Sequence, residues 1–332
     1  MTGHLVHGRA AGIALGVLVD AVVGDPRRGH PVAAFGRCAA ALERAGYAPT
    51  RVRGAGYTAV AVAGPVLLGL AAERATERKP VGRMLVTALA TWVALGGTSL
   101  VREGLAMAET LEANDLPAAR ERLTHLCARD PSGLRAADLA RATVESMAEN
   151  TSDAVVAPLL WAAVAGVPGV LGYRAVNTLD AMVGYRSPRY RQFGWASARL
   201  DDLVNLGPAR VTGALTVACA RLVGGSPVEA WRVWRRDGSR HPSPNAGHCE
   251  ASAAGALGVR LGGVNVYAGR TESRPEMGTG GRAPAVGDVR RSARLSRYVG
   301  LAGAAVAVAV AARADRTRVD GTRPSMRIKK GR

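Results

Sequence analysis

The chain has 332 residues, with 44 Lys plus Arg against 26 Asp plus Glu and a formal net charge of +18. Apolar residues make up 48% of it but aromatics only 4%, so the core material is Ala, Val, Leu and Gly; this excludes a disordered chain and a disulfide scaffold. Three of the basic residues are lysines (Lys79, Lys329 and Lys330) and no Gly-Lys dipeptide exists, which excludes a P-loop. Their place in a connector and the tail also sets a Schiff-base mechanism aside. The arginines are scattered, with few aromatics among them, so the charge does not read as a nucleic-acid surface. Cys38, Cys127, Cys219 and Cys249 show no zinc or CxxC spacing and read as reduced structural thiols.

In chain order, the first apolar segment spans about 10–24 and is interrupted by Asp20. No small-residue cleavage site follows it, so it reads as an anchor rather than a signal peptide. Gly54–Ala72 is 19 residues without a charge, Met84–Val101 gives 18 and Ala154–Tyr173 gives 20. These are bilayer-spanning lengths. The connector 73–83, with four basic residues, makes the first two an antiparallel pair. A polar helical segment, 102–153, carries a Pro131-Ser132-Gly133 break. After 154–173 come a polar stretch (174–202), a weaker apolar helix (203–220), a loop-rich region (221–285) and a basic amphipathic helix leading into the last apolar run, 298–312.

The fold expected is all-α: a polytopic membrane helical bundle of four to six membrane segments in the cell membrane, some broken or re-entrant. Residues 1–312 form one integral-membrane domain, and 313–332 a basic disordered tail. Orientation is contradictory. The connector 221–298 holds 13 arginines and the tail eight basic residues, and both can be cytoplasmic only if 298–312 does not cross.

Ionisable residues in or against apolar segments are costly and point to function. Glu145, Glu149 and Asp153 lie at i, i+4 and i+8, sharing one face of a continuous helix. Like charges at that spacing destabilise a helix unless a cation compensates, and Mg²⁺ with its oxygen ligands is one explanation. Helix capping would account for Ser152 or Asp153 but not for the glutamates. A second cluster runs from Asn177 and Asp180 to Tyr185 and Arg186, then Arg199, Asp201, Asp202 and Asn205; such residues also occur on solvated faces. A third is the Pro-fixed turn with Asp237, Arg240, His241, Ser243, Asn245, His248 and Glu250, either an anion-binding loop at a helix N-terminus or an ordinary capped turn. A fourth joins Asp20 and Asp25 to His30. If 154–173 simply crossed, the first two clusters would face opposite sides of the membrane. Pro158, Gly166, Pro168 and Gly169 predict instead a broken or re-entrant segment, tolerated where it lines a cavity.

These stretches carry a resemblance. Asp20–Val32, Glu145–Pro158, Asn177–Asn205 and Asp237–Arg270, with the strings SPNAGHCEA and LGGVNVY, resemble the CobD/CbiB family of adenosylcobinamide-phosphate synthases in order and spacing over nearly the whole chain. The string NTLDAMVGYRSPRYRQFGWASARLDDLVN is the most specific. The match weakens at 271–285 and after 313.

The resemblance implies an amide ligase of cobalamin biosynthesis. It would join a propionate carboxylate of adenosylcobyric acid to aminopropanol or its phosphate, driven by ATP and Mg²⁺. Cobalt would enter only within the corrinoid substrate, and other cobalamin-assembly enzymes are candidate partners. Glu149, Asp153, Asp180, Asp201, Asp202 and His241 are then the catalytic candidates, with Glu145, Glu149, Asp153 and Asp202 for the metal. His241 or His30 would take the amine proton. Arg186, Arg199 and Arg240 would hold phosphates. Asp25, His30, Asn150, Asn177, Tyr185, Ser243, Asn245 and Glu250 complete the substrate-binding set. Readings from other classes are an anion transporter, a membrane anchor for corrinoid enzymes, and a phosphoryl or alcohol transferase using the Asp201-Asp202 pair.

Overall fold

The computed structural model describes residues 8–26, 29–127, 129–267 and 270–321. Helices α1 (Gly8–Val23), α2 (Pro31–Gly46), α3 (Arg51–Ala75) and α4 (Pro80–Ala94) come first, followed by α5 (Gly97–Glu112), α6 (Leu116–Leu123) and α7 (Ala136–Thr151). A single π turn, Ser152–Val156, links α7 to α8 (Ala157–Val183). Then come α9 (Tyr190–Phe193), α10 (Trp195–Val204), α11 (Leu206–Cys219), α12 (Pro227–Asp237) and α13 (Ala246–Leu257). An antiparallel hairpin, β1 (Leu261–Tyr267) and β2 (Arg270–Met277), precedes α14 (Val286–Gly321).

Small residues let α1 and α4 approach closely, as in membrane helix pairs. Gly12 and Gly16, one turn apart, sit on Thr87 and Thr91, where an added Cβ would lie 2.6 and 2.7 Å from the threonine Cβ atoms. The expected 84–101 span divides at Leu95 and Gly96 into α4 and α5, and the Gly96 N–H donates to the Ala154 carbonyl at 3.0 Å. The segments 51–75, 80–112, 136–183 and 286–316 are long and apolar enough to cross a bilayer, and α10 with α11, bent by 45°, makes a fifth candidate.

The third of these does not run straight. Gly166 has φ 67° and ψ −150°, a conformation essentially confined to glycine, and Pro168 follows it. The chain reverses there. Tyr173 Oη donates to the Asp153 carbonyl at 3.1 Å, whereas twenty residues of straight helix would separate them by about 30 Å. Helix ends in an apolar layer leave unsatisfied backbone groups, and two charged side chains supply partners. Arg9, reaching across from α1, donates to the Ala163 carbonyl at 3.2 Å, and Glu73 accepts the Val167 N–H at 3.0 Å. Arg9 and Glu73 are themselves 3.7 Å apart.

Two halves follow. In one, α1, α3, α4, the first arm of α8 and the C-terminal half of α14 expose Leu18, Val60, Leu67, Leu68, Leu85, Leu89, Val164, Leu301, Val306 and Val310. So much exposed apolar surface is suited to lipid. In the other, α5–α7, α11–α13 and the start of α14 enclose a separate core around Met107, Leu123, Leu139, Leu257 and Val289.

The region 221–285 is thus more ordered than a loop, and the polar stretch 174–202 is largely helical. The basic helix and last apolar run are one helix of 36 residues, about 54 Å long, which continues through 313–321 where a disordered tail was expected. Residues 322–332 lie outside those described. The α14 segment 286–316 is long and apolar enough to cross a bilayer; a helix that crossed there would put its two basic ends on opposite sides.

Candidate active site

Because the chain folds back at Gly166, the second arm of α8 lies beside the end of α7. A polar cavity of about 360 Å³ opens between them, lined by Glu145, Glu149, Asn150 and Asp153 from one strand of the reversal and by Arg174, Asn177 and Asp180 from the other. Glu250 of α13, Arg129 and Arg274 of β2 close it. A small recess behind Glu149 and Asp153 adds Asp201, Asn205, Ser243 and Asn245. The first three sequence clusters therefore meet in one place. The fourth approaches it: Asp25, 3.8 Å from His30 Nε2, acts on Arg174 through its charge.

The recess is held by a chain of hydrogen bonds. Tyr173 Oη lies 3.0 Å from Asn205 Oδ1, Asn205 Nδ2 donates to Asp201 Oδ2 at 3.0 Å, and Asn177 Nδ2 donates to Asp201 Oδ1 at 3.4 Å. Asn245 Nδ2 donates to the Asp202 carbonyl at 2.7 Å, which ties α10 to the Pro-fixed turn. Asn150 Nδ2 is spent on the Leu126 and Ser146 carbonyls. Four buried polar atoms in or beside this region have no protein partner: Arg174 Nε, Asn245 Oδ1 and Glu250 Oε2 on residues of its walls, and His241 Nε2, whose residue lines neither cavity nor recess. Buried polar groups are normally paired, so these four are open to a ligand.

Not every expected residue reaches the cavity in the expected role. Glu145 lines it, but its carboxylate is committed to Arg129 at 2.5 Å, Arg141 at 3.5 Å and the Gly262 N–H at 2.8 Å, so it anchors the hairpin rather than standing free for a metal. Asp202 pairs with Arg199 at 3.7 Å and is absent from the cavity wall. Tyr185, Arg186 and Arg199 are exposed. Arg240 binds Asp237, whose other oxygen accepts the Gly278 N–H. Ser243 caps the turn by accepting the Asn245 and Ala246 N–H groups.

The histidines also change role. His241 Nδ1 accepts the Ser243 N–H at 3.0 Å, so the neutral ring carries its proton on Nε2. Burial, then the charge of Arg274, pushes His241 down to about 4. It is a hydrogen-bond donor, not a base. His30 Nδ1 likewise accepts the Val32 N–H and directs Nε2 towards Asp25. Burial, with the neighbouring Glu145 and Glu149 carboxyls, pushes the Glu250 carboxyl well above the usual range.

Sequence reasoning missed Arg129, Arg174 and Arg274. Arg174 had a signal, since it ends an apolar run where a charge is costly; the other two lie in a loop and a strand and had none. Among the described residues no three His, Cys, Asp or Glu side chains converge closely enough to hold a bare metal ion. Mg²⁺, however, is usually held by one or two carboxylates together with phosphate oxygens. Glu149 and Asp153 on the shared wall, facing three guanidiniums suited to phosphate, fit that mode.

The family model described as CobD/Cbib protein matches residues 13–296. The chain is 57% identical over 299 residues to "Cobalamin biosynthesis protein CobD" of Mycobacterium tuberculosis, covering 90% of this chain and 94% of that one. It is 46% identical to the protein of the same name from Geobacter metallireducens, covering 79% and 84%. For that of Rhodobacter capsulatus the identity is 41%, covering 87% and 93%. No solved structure matches the chain.

Proposed function

The chain belongs to the CobD/CbiB family, and from that premise we propose that it is an ATP-dependent amide ligase of cobalamin biosynthesis in the cell membrane. It joins a side-chain carboxylate of adenosylcobyric acid to aminopropanol or its phosphate. The observation that carries this reading is the single cavity in which Glu149, Asp153, Asn177, Asp180 and Glu250 face Arg129, Arg174 and Arg274. Amide formation needs both kinds of group: carboxylates for a metal and for the amine proton, guanidiniums for phosphate.

Carboxylate and ATP give an acyl phosphate and ADP; the amine then displaces phosphate and loses a proton. Mg²⁺, when bound at Glu149 and Asp153, supplies charge neutralisation at the phosphates. Arg174, with Nε unpartnered, and Arg274 bind the transferred phosphoryl oxygens. Asp180 takes the amine proton, and His241 Nε2–H and Asn245 Oδ1 orient the substrate's polar groups. At about 360 Å³ the cavity suits the reacting ends and not a whole corrinoid, whose macrocycle stays at the mouth.

The test is purified protein in detergent with adenosylcobyric acid, ATP, Mg²⁺ and either amine, read by mass spectrometry. Product that requires ATP is expected. Folded protein that forms no product with either amine would sink the ligase reading, and substrate flux in liposomes would then favour a transporter.

A further inference from the structure

A second hollow, of about 350 Å³, lies outside the polar cavity between α1, α5 and α14. Val17, Leu105, Leu159 and Leu301 form its walls, and Arg102 and Arg297 stand at its rim. Both arginines are exposed, and among the described residues neither makes an ion pair or hydrogen bond. Arg102 packs over the turn that ends α1, where a Cβ on Gly24 would lie 2.8 Å from its Nη1.

At the base sits Asp20, a buried charge on α1 that the proposed reaction leaves unused. Only 7% of it is exposed. Its Oδ2 accepts from the Thr98 N–H and hydroxyl at 3.1 and 3.0 Å, while Oδ1 has no partner. An unpaired buried carboxylate oxygen is expensive, so Oδ1 calls for a donor from outside the chain.

The hollow stands where the lipid-facing half begins. Beneath it α1 exposes Leu18, and α14 exposes Leu301 and, on its other side, Val306 and Val310. Arg297 and Leu301 are one turn apart on the same face of α14. Ala305 and Val308 continue that face, so from Leu301 the helix offers about 10 Å of apolar surface along it.

We infer that this hollow binds one anionic phospholipid with a hydroxyl-bearing headgroup. Its phosphate lies between Arg102 and Arg297, a headgroup hydroxyl donates to Asp20 Oδ1, and an acyl chain runs down past Leu301. Arg102 and Arg297 supply the positive charge for one phosphodiester, while Asp20, on which Asp25 and Arg102 both act through their charges, lies deeper. Basic pockets between membrane helices bind lipid headgroups in this way, and the guanidinium fork suits phosphate oxygens. A choline headgroup has no proton to give Asp20 and adds a positive charge of its own.

Full-length protein reconstituted with equal phosphatidylglycerol and phosphatidylcholine, then stripped by detergent, is read by native mass spectrometry for retained lipid. The wild type is expected to retain phosphatidylglycerol about tenfold over phosphatidylcholine. Arg102→Gln with Arg297→Gln is expected to bring that ratio near one, with the helical circular dichroism unchanged. Equal retention by the wild type, or an undiminished preference in a folded double variant, would overturn the site. Displacement of the lipid by free glycerol 3-phosphate would refute the acyl-chain contact.

Discussion

Replacing Gly166 by Ala tests the reversal on which the site depends. At φ 67° and ψ −150° an L residue is strained, by about 1–3 kcal/mol. The added Cβ would also collide with the Glu73 carboxylate and lie 2.9 Å from Arg9 Nη2. Glu73 must then swing away, which breaks its bond from the Val167 N–H and its 3.7 Å ion pair with Arg9. A hydrogen bond to a charged group is worth about 1.5–3 kcal/mol, so the total loss is about 2.5–6 kcal/mol. For a chain of this size that lowers Tm by roughly 10 °C. The assay is thermal unfolding in detergent, with Gly64→Ala as control. Gly64 lies inside α3 with open space where a Cβ would go, and Ala is expected to be neutral or slightly stabilising there. Gly166→Ala melting within 2 °C of the wild type would refute the fold-back at this residue.

Glu149→Gln is expected to lower turnover by about 100-fold or more and to raise the Mg²⁺ concentration needed for half activity; unchanged turnover would remove Glu149 from the mechanism. Arg129→Ala leaves Glu145 with Arg141 as its cationic partner and the Gly262 N–H as a donor, and should destabilise the fold by about 1.5–3 kcal/mol for the lost charged hydrogen bond, while Arg129→Lys, which keeps the charge, should recover part of that; thermal unfolding of the two variants decides. His241 titrates near 6.5 unfolded and about 4 folded. Between those values the unfolded chain binds a proton that the folded chain refuses, so stability present above pH 6.5 is lost as pH falls, by about 1.4 kcal/mol per unit. His241→Gln should flatten that slope, and an unaltered pH profile would contradict the burial of a neutral ring.

Much of this architecture was legible. Uncharged runs of bilayer length located the apolar segments, and the demand that Glu149 and Asn177 share a site pointed to a break among Pro158, Gly166, Pro168 and Gly169. Glycine at positive φ supplied it. The division of 84–101 at Gly96 was not legible, because nothing charged marks it. The helix through 313–321 was hidden by its basic composition, and the hairpin by the glycines Gly262 and Gly263, which read as loop. Individual roles were least legible. Spacing alone could not show that Arg129 and Arg141 claim Glu145, or that Ser243 occupies His241 Nδ1, since each depends on a partner distant in sequence or on turn geometry.

The central claim is that the end of α7 and the end of α8 open on one side of the membrane into one cavity. Sided labelling tests it most directly: single cysteines at 149 and 186, with the four native cysteines replaced, exposed to an impermeant thiol reagent in sealed, uniformly oriented vesicles. Labelling of both positions from the same side is the expected result. Labelling from opposite sides would show that the segment between them crosses outright, and the shared site would fall with it.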